Sequence, residues 1–461
     1  MSKAIEIKEK LLSDLEAMRL QNESAAASLT KKAQITDYEQ YAYTDGNGIK
    51  VWSDAIQKAI EENEILIFPA SDEPYYVERS IIVPSNRYIK VEGNTTIRQK
   101  EGVTLLMLRN ANTLDGTHAP IDKSNPDRNI TVEGGIWEEC RSERAGYGKS
   151  GKYDEERSFY GVTTCMFFDN IEGLTLKNLT FRHCGGFAIQ VGDTKDAVIE
   201  SIEFKECFAD GVHLTGNNEN ILVQSIYGYV GDDLVALNAY DWKDSSVNFG
   251  PSRNIFVRNI ELSPDSPLKC MRLLPGIYTF DNGEKIDCSL SNVVVSGTKG
   301  IQTFKLYLQT AAYNIDEEHE PGEVSSCEAF FFENMEIPLR YPIDFFNAYY
   351  RESHPVKGAF GAFEIGTNIG LLSIENVSLT VDKEKYPMAF LCSVGPKTAR
   401  QEGAIREVFN PDISCVVEEV RLKNITINGQ KRDNIDDYLY EVDFTSFGGG
   451  TGTIKKITYD N

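Results

Sequence analysis

Short segments in which apolar and polar residues alternate recur along the chain at a nearly fixed interval. Three of them, GLTLKNLTF from Gly173, AVIESIEF from Ala197 and NILVQSIYGY from Asn220, begin 24 and 23 residues apart. Further copies begin at Asn254, Asp287, Gly370 and Glu419. Such a recurring two-residue alternation predicts a solenoid, in which each turn contributes short strands and buries its apolar side chains against the neighbouring turns.

Each repeat carries an asparagine or a serine at one place in the pattern. These residues occupy positions 178, 201, 225, 259, 292, 376 and 424. We interpret them as structural, because a side-chain amide at a tight turn tolerates left-handed backbone and can bond to the equivalent residue of the next turn. A ligand-binding role is the alternative.

The first 65 residues predict two helices. Residues 53–64 form an amphipathic pattern with Ser53 as the N-cap and apolar residues at positions 55, 56, 59 and 60, and we expect this helix to close the open end of the core. Residues 1–25 predict another helix, which packs on the solenoid or on another subunit. We therefore divide the chain into an N-terminal extension over 1–50 and a single solenoid domain over 51–461.

Composition restricts the location and the partners. A chain of 461 residues, 41% of them hydrophobic, can bury a large core without disulfides or a metal. The net charge of −23 argues against nucleic acid and against anionic membrane as partners. The N-terminus has no apolar signal region, and no apolar run is long enough to span a membrane. The nine cysteines lack CxxC spacing, so we expect reduced thiols and a cytoplasmic location.

The turns over residues 209–242 carry the candidate chemistry. They read ADGVHLTG and GDDLVALNAYDW, and Asp210 and Asp233 are 23 residues apart, which is the local repeat. We therefore expect these two carboxylates to be near neighbours on adjacent turns, whose strands lie about 4.8 Å apart, with Asp232 beside them. Carboxylates this close hold at least one proton to a raised pH, which suits acid/base hydrolysis of a glycosidic bond. A solvated acidic turn and a calcium site are the alternatives.

The alternation also predicts which neighbouring side chains face outward. The apolar residues at positions 212, 214, 235 and 237 point into the core, so His213 and Asn238 lie on the outer face with the aspartates. Arg272 and Lys305 are 33 residues apart and flanked by apolar residues, which places two cations outward on successive turns. Two such cations suit an anionic or strongly hydroxylated sugar. Ion pairing with the aspartates, or surface charge, is the alternative for both.

We predict that these polar residues bind substrate. Trp242 adds an aromatic ring that could stack on a sugar. His213 could position a substrate hydroxyl, and an outward histidine without a specific role is the alternative.

In their order, the segments AIQKAI, IFPASDEPYYVERSIIVPSN, NITVEGGIW, ADGVHL and GDDLVAL resemble the polygalacturonase-like enzymes of glycoside hydrolase family 28. The similarity spans residues 51–310. It implies an all-β fold, the right-handed parallel β-helix of pectin lyase-like proteins, here with a short helical N-terminal cap. It also implies inverting hydrolysis without a cofactor or a metal. Asp232 then protonates the leaving oxygen, and Asp210 with Asp233 activates the attacking water.

The chain departs from this family at two motifs. The region LKCMRLLPG (268–276) has no histidine where the family has Gly-His-Gly, and 303–305 keeps only the lysine of Arg-Ile-Lys. We therefore predict a glycoside hydrolase that acts on oligosaccharides, with uronate-containing ones as one class, and leave homo-oligomer formation open. A polysaccharide lyase or sugar epimerase on the same scaffold and a non-catalytic carbohydrate-binding β-helix are the alternatives.

Overall fold

The structure is a computed structural model. It describes residues 3–103, 106–113, 124–142, 152–154, 157–158, 164–241, 248–280, 282–312, 323–339, 361–381, 389–393, 397–401, 405–409, 414–431 and 452–460.

The described residues are mostly strands. The helices are α1 (Lys3–Ala27), a 3₁₀ helix (Ile35–Tyr41) and α2 (Ser53–Glu62). The strands before residue 160 are β1 (Lys32–Gln34), β2 (Tyr43–Thr44), β3 (Lys50–Val51), β4 (Ile65–Phe68), β5 (Tyr75–Val77), β6 (Ile81–Val83), β7 (Arg87–Val91), β8 (Thr96–Gln99), β9 (Leu108–Asn110), β10 (Asp127–Glu133), β11 (Ile136–Glu138), β12 (Lys152–Asp154) and β13 (Arg157–Ser158).

The central strands, several of which are long because they bend round a corner without a break, lie between residues 164 and 312. They are β14 (Thr164–Lys177), β15 (Thr180–Arg182), β16 (Phe187–Cys207), β17 (Val212–Leu214), β18 (Glu219–Val230), β19 (Val235–Leu237), β20 (Ser252–Leu262), β21 (Cys270–Leu273), β22 (Gly276–Thr279), β23 (Lys285–Cys288), β24 (Leu290–Lys299), β25 (Thr303–Tyr307) and β26 (Gln309–Ala312).

The remaining strands lie between residues 326 and 460. They are β27 (Ser326–Leu339), β28 (Gly361–Gly366), β29 (Asn368–Val381), β30 (Ala389–Ser393), β31 (Lys397–Gln401), β32 (Ile405–Phe409), β33 (Cys415–Ile427), β34 (Gln430–Lys431), β35 (Gly452–Ile454) and β36 (Ile457–Asp460).

Most strands stack into three parallel ladders, which form the predicted right-handed parallel β-helix, while β12–β13, β22–β23 and β26–β31–β32 form small separate sheets. The first ladder runs from β1 through β4, β7 and β10 to β36. The second runs from β3 through β5, β8 and β11 to the end of β33. The third begins with β6 and β9 and ends with β30. β16 contributes to all three ladders as it bends round two corners.

The recurring asparagines and serines adopt the left-handed backbone that the sequence predicts. All seven positions have φ between 51° and 58°. Amides also bond between turns, as from Asn424 to Asn376 at 2.8 Å and from Asn376 to Asn334 at 3.1 Å. Asn292 belongs to a different corner, because its register partner is Asn254. The corner that the other six residues occupy is filled in that turn by Gly297, at φ 69°.

α2 closes one end of the core. Ala55, Ile56, Ala59 and Ile60 are buried in the central hydrophobic cluster, as the amphipathic pattern predicts. The prediction that Ser53 is the N-cap is wrong, since the cap position is Trp52 and makes no side-chain cap bond. The Ser53 hydroxyl instead accepts a hydrogen bond at 2.9 Å from a backbone N–H of the next turn, and so ties the helix to the solenoid.

α1 packs on the outer face of the first ladder rather than extending away from it. Leu11, Leu15 and Met18 are buried there. They contact a column of outward apolar side chains on successive turns, which comprises Val198, Leu222, Phe256, Val294 and Phe331. α1 also contacts β10 and β14, where the same column carries Thr131 and Thr175, and after Phe331 the column continues with Ser373 and Arg421. The buried apolar residues of α1 therefore lie against the apolar stretch of the column.

The described cysteines are unpaired, and all but Cys140 are buried. No described helix has the length and apolar character needed to cross a bilayer.

We predict that Leu15→Asp detaches α1 from the solenoid. Leu15 is 1% exposed within the apolar column, and loss of such a side chain costs about 2–5 kcal/mol, so a buried charge removes most of the docking energy. Limited proteolysis should then cleave the N-terminal segment, and light scattering should show self-association through the uncovered column. Leu20→Asp is the matched control, because Leu20 lies on the same helix and is 57% exposed. Equal protease resistance in both variants would contradict the docking role.

Candidate active site

The register of the third ladder aligns one outward side chain from each turn. The apolar residues at 212, 214, 235 and 237 point into the core, as predicted, and so do those that flank Arg272 and Lys305. The residues that alternate with these apolar ones face outward and align from turn to turn in one column. This outward column comprises Arg109, Phe167, Gln190, His213, Ala236, Arg272, Lys305 and Glu364. Although they face away from the core, most of these side chains are buried. The third ladder therefore carries a covered, polar outer surface.

The three predicted aspartates come together beside this column. One oxygen from each of Asp210, Asp232 and Asp233 lies within 4.8 Å of the other two. Asp233 is fully buried, while Asp210 and Asp232 are 3% and 6% exposed. The backbone N–H of Asp233 donates to Oδ1 of Asp210 at 3.0 Å, which joins the adjacent turns directly. The stacking inferred from the 23-residue spacing is present in the structure.

Arg272 binds two of the three carboxylates. Its Nη1 lies 2.5 Å from Oδ1 of Asp232 and 3.0 Å from Oδ2 of Asp233. The thiol of Cys270, on the same strand, lies 3.0 Å from Oδ1 of Asp233. Both oxygens of Asp233 therefore have a donor. This pairing is the alternative that the sequence left open for Arg272.

His213 lies between two carboxylates, at 2.5 Å from Oδ2 of Asp210 through Nδ1 and at 2.7 Å from Oδ2 of Asp241 through Nε2. Its ring stacks on Phe187 with centroids 3.9 Å apart and planes 10° apart. Both ring nitrogens are thus engaged within the protein, and only 1% of the residue is exposed. This geometry does not support the predicted contact of His213 with substrate.

Two carboxyl groups of the site, those of Asp210 and Asp233, hold their protons more tightly than free aspartate does. Burial raises the pKa of Asp233 to about 7, and the charges of Asp232 and Asp210 add to the rise while Arg272 opposes it. Burial and the charge of Asp232 also raise the pKa of Asp210, against the hydrogen bond from His213. The group therefore retains a proton close to neutral pH, as expected for stacked carboxylates.

The three other residues that the sequence predicts to bind substrate are Lys305, Asn238 and Trp242. Lys305 is 7% exposed and occupies the position next to Arg272 in the column. Asn238 is buried, and its Oδ1 has no hydrogen-bond partner among the described residues. Trp242 lies outside the described residues.

Asp241, Phe187 and Cys270 belong to the site but were missed in the sequence. Asp241 follows the strand rather than lying on it, and its separation of 28 residues from His213 does not match the repeat. Phe187 reads as an ordinary apolar strand residue. Cys270 was detectable, because it lies two residues before Arg272 and so shares its outward direction.

Three clustered carboxylates also suit a hard cation. Here, however, the Arg272 guanidinium lies against two of them and supplies positive charge at that point. The geometry therefore fits an arginine-bound cluster better than a calcium site.

Comparisons with known proteins identify the fold. No protein-family model and no curated protein matches the sequence. The chain is similar in structure to an exopolygalacturonase from Thermotoga maritima, with TM-score 0.51, 13% identity and coverage of 94% of this chain and 98% of that chain. It is also similar to the tailspike protein of E. coli bacteriophage HK620, a double mutant in complex with a pentasaccharide, with TM-score 0.52, 11% identity and coverage of 93% and 67%. These similarities confirm the parallel β-helix.

We predict that the free energy of unfolding of wild type, compared with that of Asp233→Asn, falls between pH 4 and 7. The folded-state pKa of Asp233 is raised to about 7. The contribution of this carboxyl to the free energy of unfolding is therefore fully present below its unfolded pKa of about 3.8 and is lost as pH rises through 7. The advantage of wild type over Asp233→Asn should thus fall by on the order of 1–3 kcal/mol across this window and stay level above it. Chemical denaturation at several pH values measures this difference.

Two other buried groups, Glu139 and His213, also change the free energy of unfolding with pH and serve as comparisons for that measurement. Burial raises the pKa of Glu139 to about 7, so Glu139→Gln should act in the same window from outside the site. His213, with its pKa raised to about 10, contributes stability that is constant below about pH 6.5 and is lost as pH rises towards 10. A difference between wild type and Asp233→Asn that does not vary with pH would show that Asp233 is ionised throughout.

Proposed function

We propose that this protein is a glycoside hydrolase that cleaves oligosaccharides with the carboxyl groups of Asp210, Asp232 and Asp233. The observation that carries the proposal is the cluster itself, in which three buried carboxyl groups lie within 4.8 Å and one has a pKa near 7. A proton-bearing carboxyl beside an ionised one is what acid/base cleavage of a glycosidic bond requires. The fold shared with an exopolygalacturonase supports the same reaction class.

The proposed reaction moves two protons. Asp232 is the most exposed of the three carboxyls, and we assign to it the proton that passes to the leaving glycosidic oxygen as its bond to the anomeric carbon breaks. Asp210 and Asp233 take a proton from the attacking water, whose oxygen forms the new bond. In the unliganded site the proton belongs to the three carboxyls jointly, since they are close enough to titrate together.

We propose inversion at the anomeric carbon. The short spacing of the cluster alone is closer to that of retaining enzymes, whose carboxylates lie about 5 Å apart. A retaining nucleophile, however, must reach the anomeric carbon. The oxygens of Asp210 accept hydrogen bonds from His213 and from the Asp233 backbone, and those of Asp233 from Cys270 and Arg272. Oxygens held this way fit the polarisation of a water better than direct attack.

The cations indicate the substrate class. Arg272 and Lys305 occupy paired positions on adjacent turns beside the carboxyl cluster. The Nε of Arg272 is buried without a hydrogen-bond partner in the described part of the chain, and so is Oδ1 of Asn238. A buried donor and a buried acceptor without partners favour a polar ligand, because such atoms are costly when unsatisfied. We propose an acidic oligosaccharide, with a uronate as one candidate unit.

The charge of Arg272 argues against a lyase or epimerase that would use it as the base. Although burial opposes it, the charges of Asp232 and Asp233 raise the pKa of this guanidinium well above its ordinary value. An arginine that does not release its proton cannot abstract one from a sugar carbon. A non-catalytic carbohydrate-binding role is the other outcome that the experiments separate.

We expect wild type to hydrolyse members of a panel of short uronic and neutral oligosaccharides, and Asp232→Asn to lose at least about 100-fold in kcat, because the amide cannot donate the catalytic proton. Chromatography of the products measures this, and NMR of the first-formed anomer shows inversion or retention. Asp265→Asn, at an exposed position outside the site, is the control. Ultraviolet absorbance from an unsaturated product would indicate a lyase, and an inactive wild type that still binds a sugar would indicate a binding protein.

We expect Lys305→Met to discriminate between substrate classes. Removal of this buried cation should raise KM for acidic oligosaccharides by about 10-fold or more, since a charge-assisted hydrogen bond contributes about 1.5–3 kcal/mol, and should leave KM for neutral ones within about twofold. Steady-state kinetics on matched uronic and neutral oligosaccharides gives the comparison within one variant. Equal changes in KM for both classes would show that Lys305 does not recognise charge.

A further inference from the structure

We propose that His213 and Asp241 form a positioning pair, in which a charged His213 held by Asp241 keeps Asp210 ionised and oriented as the water-activating base. This inference rests on the proposed function. It replaces the predicted role of His213 as a substrate ligand and assigns a role to Asp241, which the sequence pattern does not single out.

Geometry is the first support. Each ring nitrogen of His213 lies within hydrogen-bond distance of a carboxylate oxygen, at 2.5 Å from Asp210 and 2.7 Å from Asp241. A neutral imidazole has one N–H and could donate to only one of them. Because both partners are carboxylates, the protonated form is the one that satisfies both contacts with a donor.

The surroundings of the ring fix its orientation and favour its charge. Phe187 stacks against one face at 3.9 Å, and the π-face of an aromatic ring attracts a cation. Gln190 and Ala236 occupy the paired positions on the turns above and below, so neither of these two positions places a second cation against the ring. Burial lowers the pKa of His213, but the hydrogen bonds and charges of Asp210 and Asp241 outweigh it and raise the pKa to about 10.

The effect on Asp210 follows from the charges that act on it. Burial and the neighbouring carboxyl of Asp232 raise its pKa, whereas His213 and, more weakly, Arg272 lower it. His213 is the cation in direct contact, and it binds Oδ2 while the Asp233 backbone N–H binds Oδ1. Without the imidazolium, Asp210 would keep its proton to a higher pH and would lose the contact that fixes Oδ2.

The kinetic test compares His213→Gln and Asp241→Asn with His183→Gln. His183 is a matched control, since its nitrogens lie 2.8 Å and 2.9 Å from the carboxylates of Glu138 and Glu206 on the neighbouring ladder, outside the site. We expect His213→Gln to lower kcat about 10- to 100-fold with KM within about twofold, and to move the acidic limb of the pH profile of kcat/KM upward by about one unit. Asp241→Asn should shift the limb in the same direction by less, and His183→Gln should not shift it.

The inference is overturned if His213→Gln raises KM while kcat is retained, if the acidic limb does not move, or if His183→Gln reproduces the loss. A second measurement does not depend on activity. Imidazole ¹⁵N NMR of the wild type should show His213 as imidazolium up to about pH 9, and Asp241→Asn should start its titration at lower pH. If no oligosaccharide is cleaved, the proposed function fails and NMR still determines the charge of His213. If cleavage occurs and His213 titrates near its ordinary pKa, this inference fails alone.

Discussion

The site depends on the parallel register of the third ladder. Side chains in a strand alternate between faces, so a shift of one residue in any turn would exchange its core and outer residues. The apolar side chains of Val212 and Val235 hold this register by filling the interior, and they thereby fix where His213 and the aspartates lie. Adjacent turns are separated only by the strand spacing of about 4.8 Å. Groups on neighbouring turns must therefore interact strongly, which makes the stack both a scaffold and a means of setting pKa values.

A second cluster shows why the balance of charges decides what a buried carboxyl can do. Glu138 on the second ladder is also buried, and burial raises its pKa, but hydrogen bonds from Arg182, His183 and Arg98 outweigh that effect and lower it. One carboxylate among three basic side chains stays ionised. In the third-ladder cluster Asp210, Asp232 and Asp233 face one arginine and one histidine, and a proton is retained. The same residue types thus give a structural ion pair in one place and candidate acid/base chemistry in the other.

The repeat made the fold and much of the site predictable, because both depend on spacing and parity alone. The 23-residue interval placed Asp210 against Asp233, and the 33-residue interval paired Arg272 with Lys305. The outer column of the first ladder is apolar where the buried residues of α1 contact it, as at Phe256, but the sequence pattern alone left open whether this helix packs there or on another subunit.

Features that break the repeat could not be predicted in this way. Asp241 reaches His213 from a segment beyond the strand, and its position depends on the course of that segment rather than on register. Asn292 matched the sequence pattern but lies at another corner, because Gly297 can adopt the same left-handed backbone without an amide. The alternation of apolar and polar residues also predicts which side chains point away from the core, but it does not predict which of those are buried under other parts of the chain. That distinction changes His213 from a candidate ligand on the outer face into a buried residue between two carboxylates, and it makes the charge of the imidazole, rather than its accessibility, the property through which it would act in the proposed reaction.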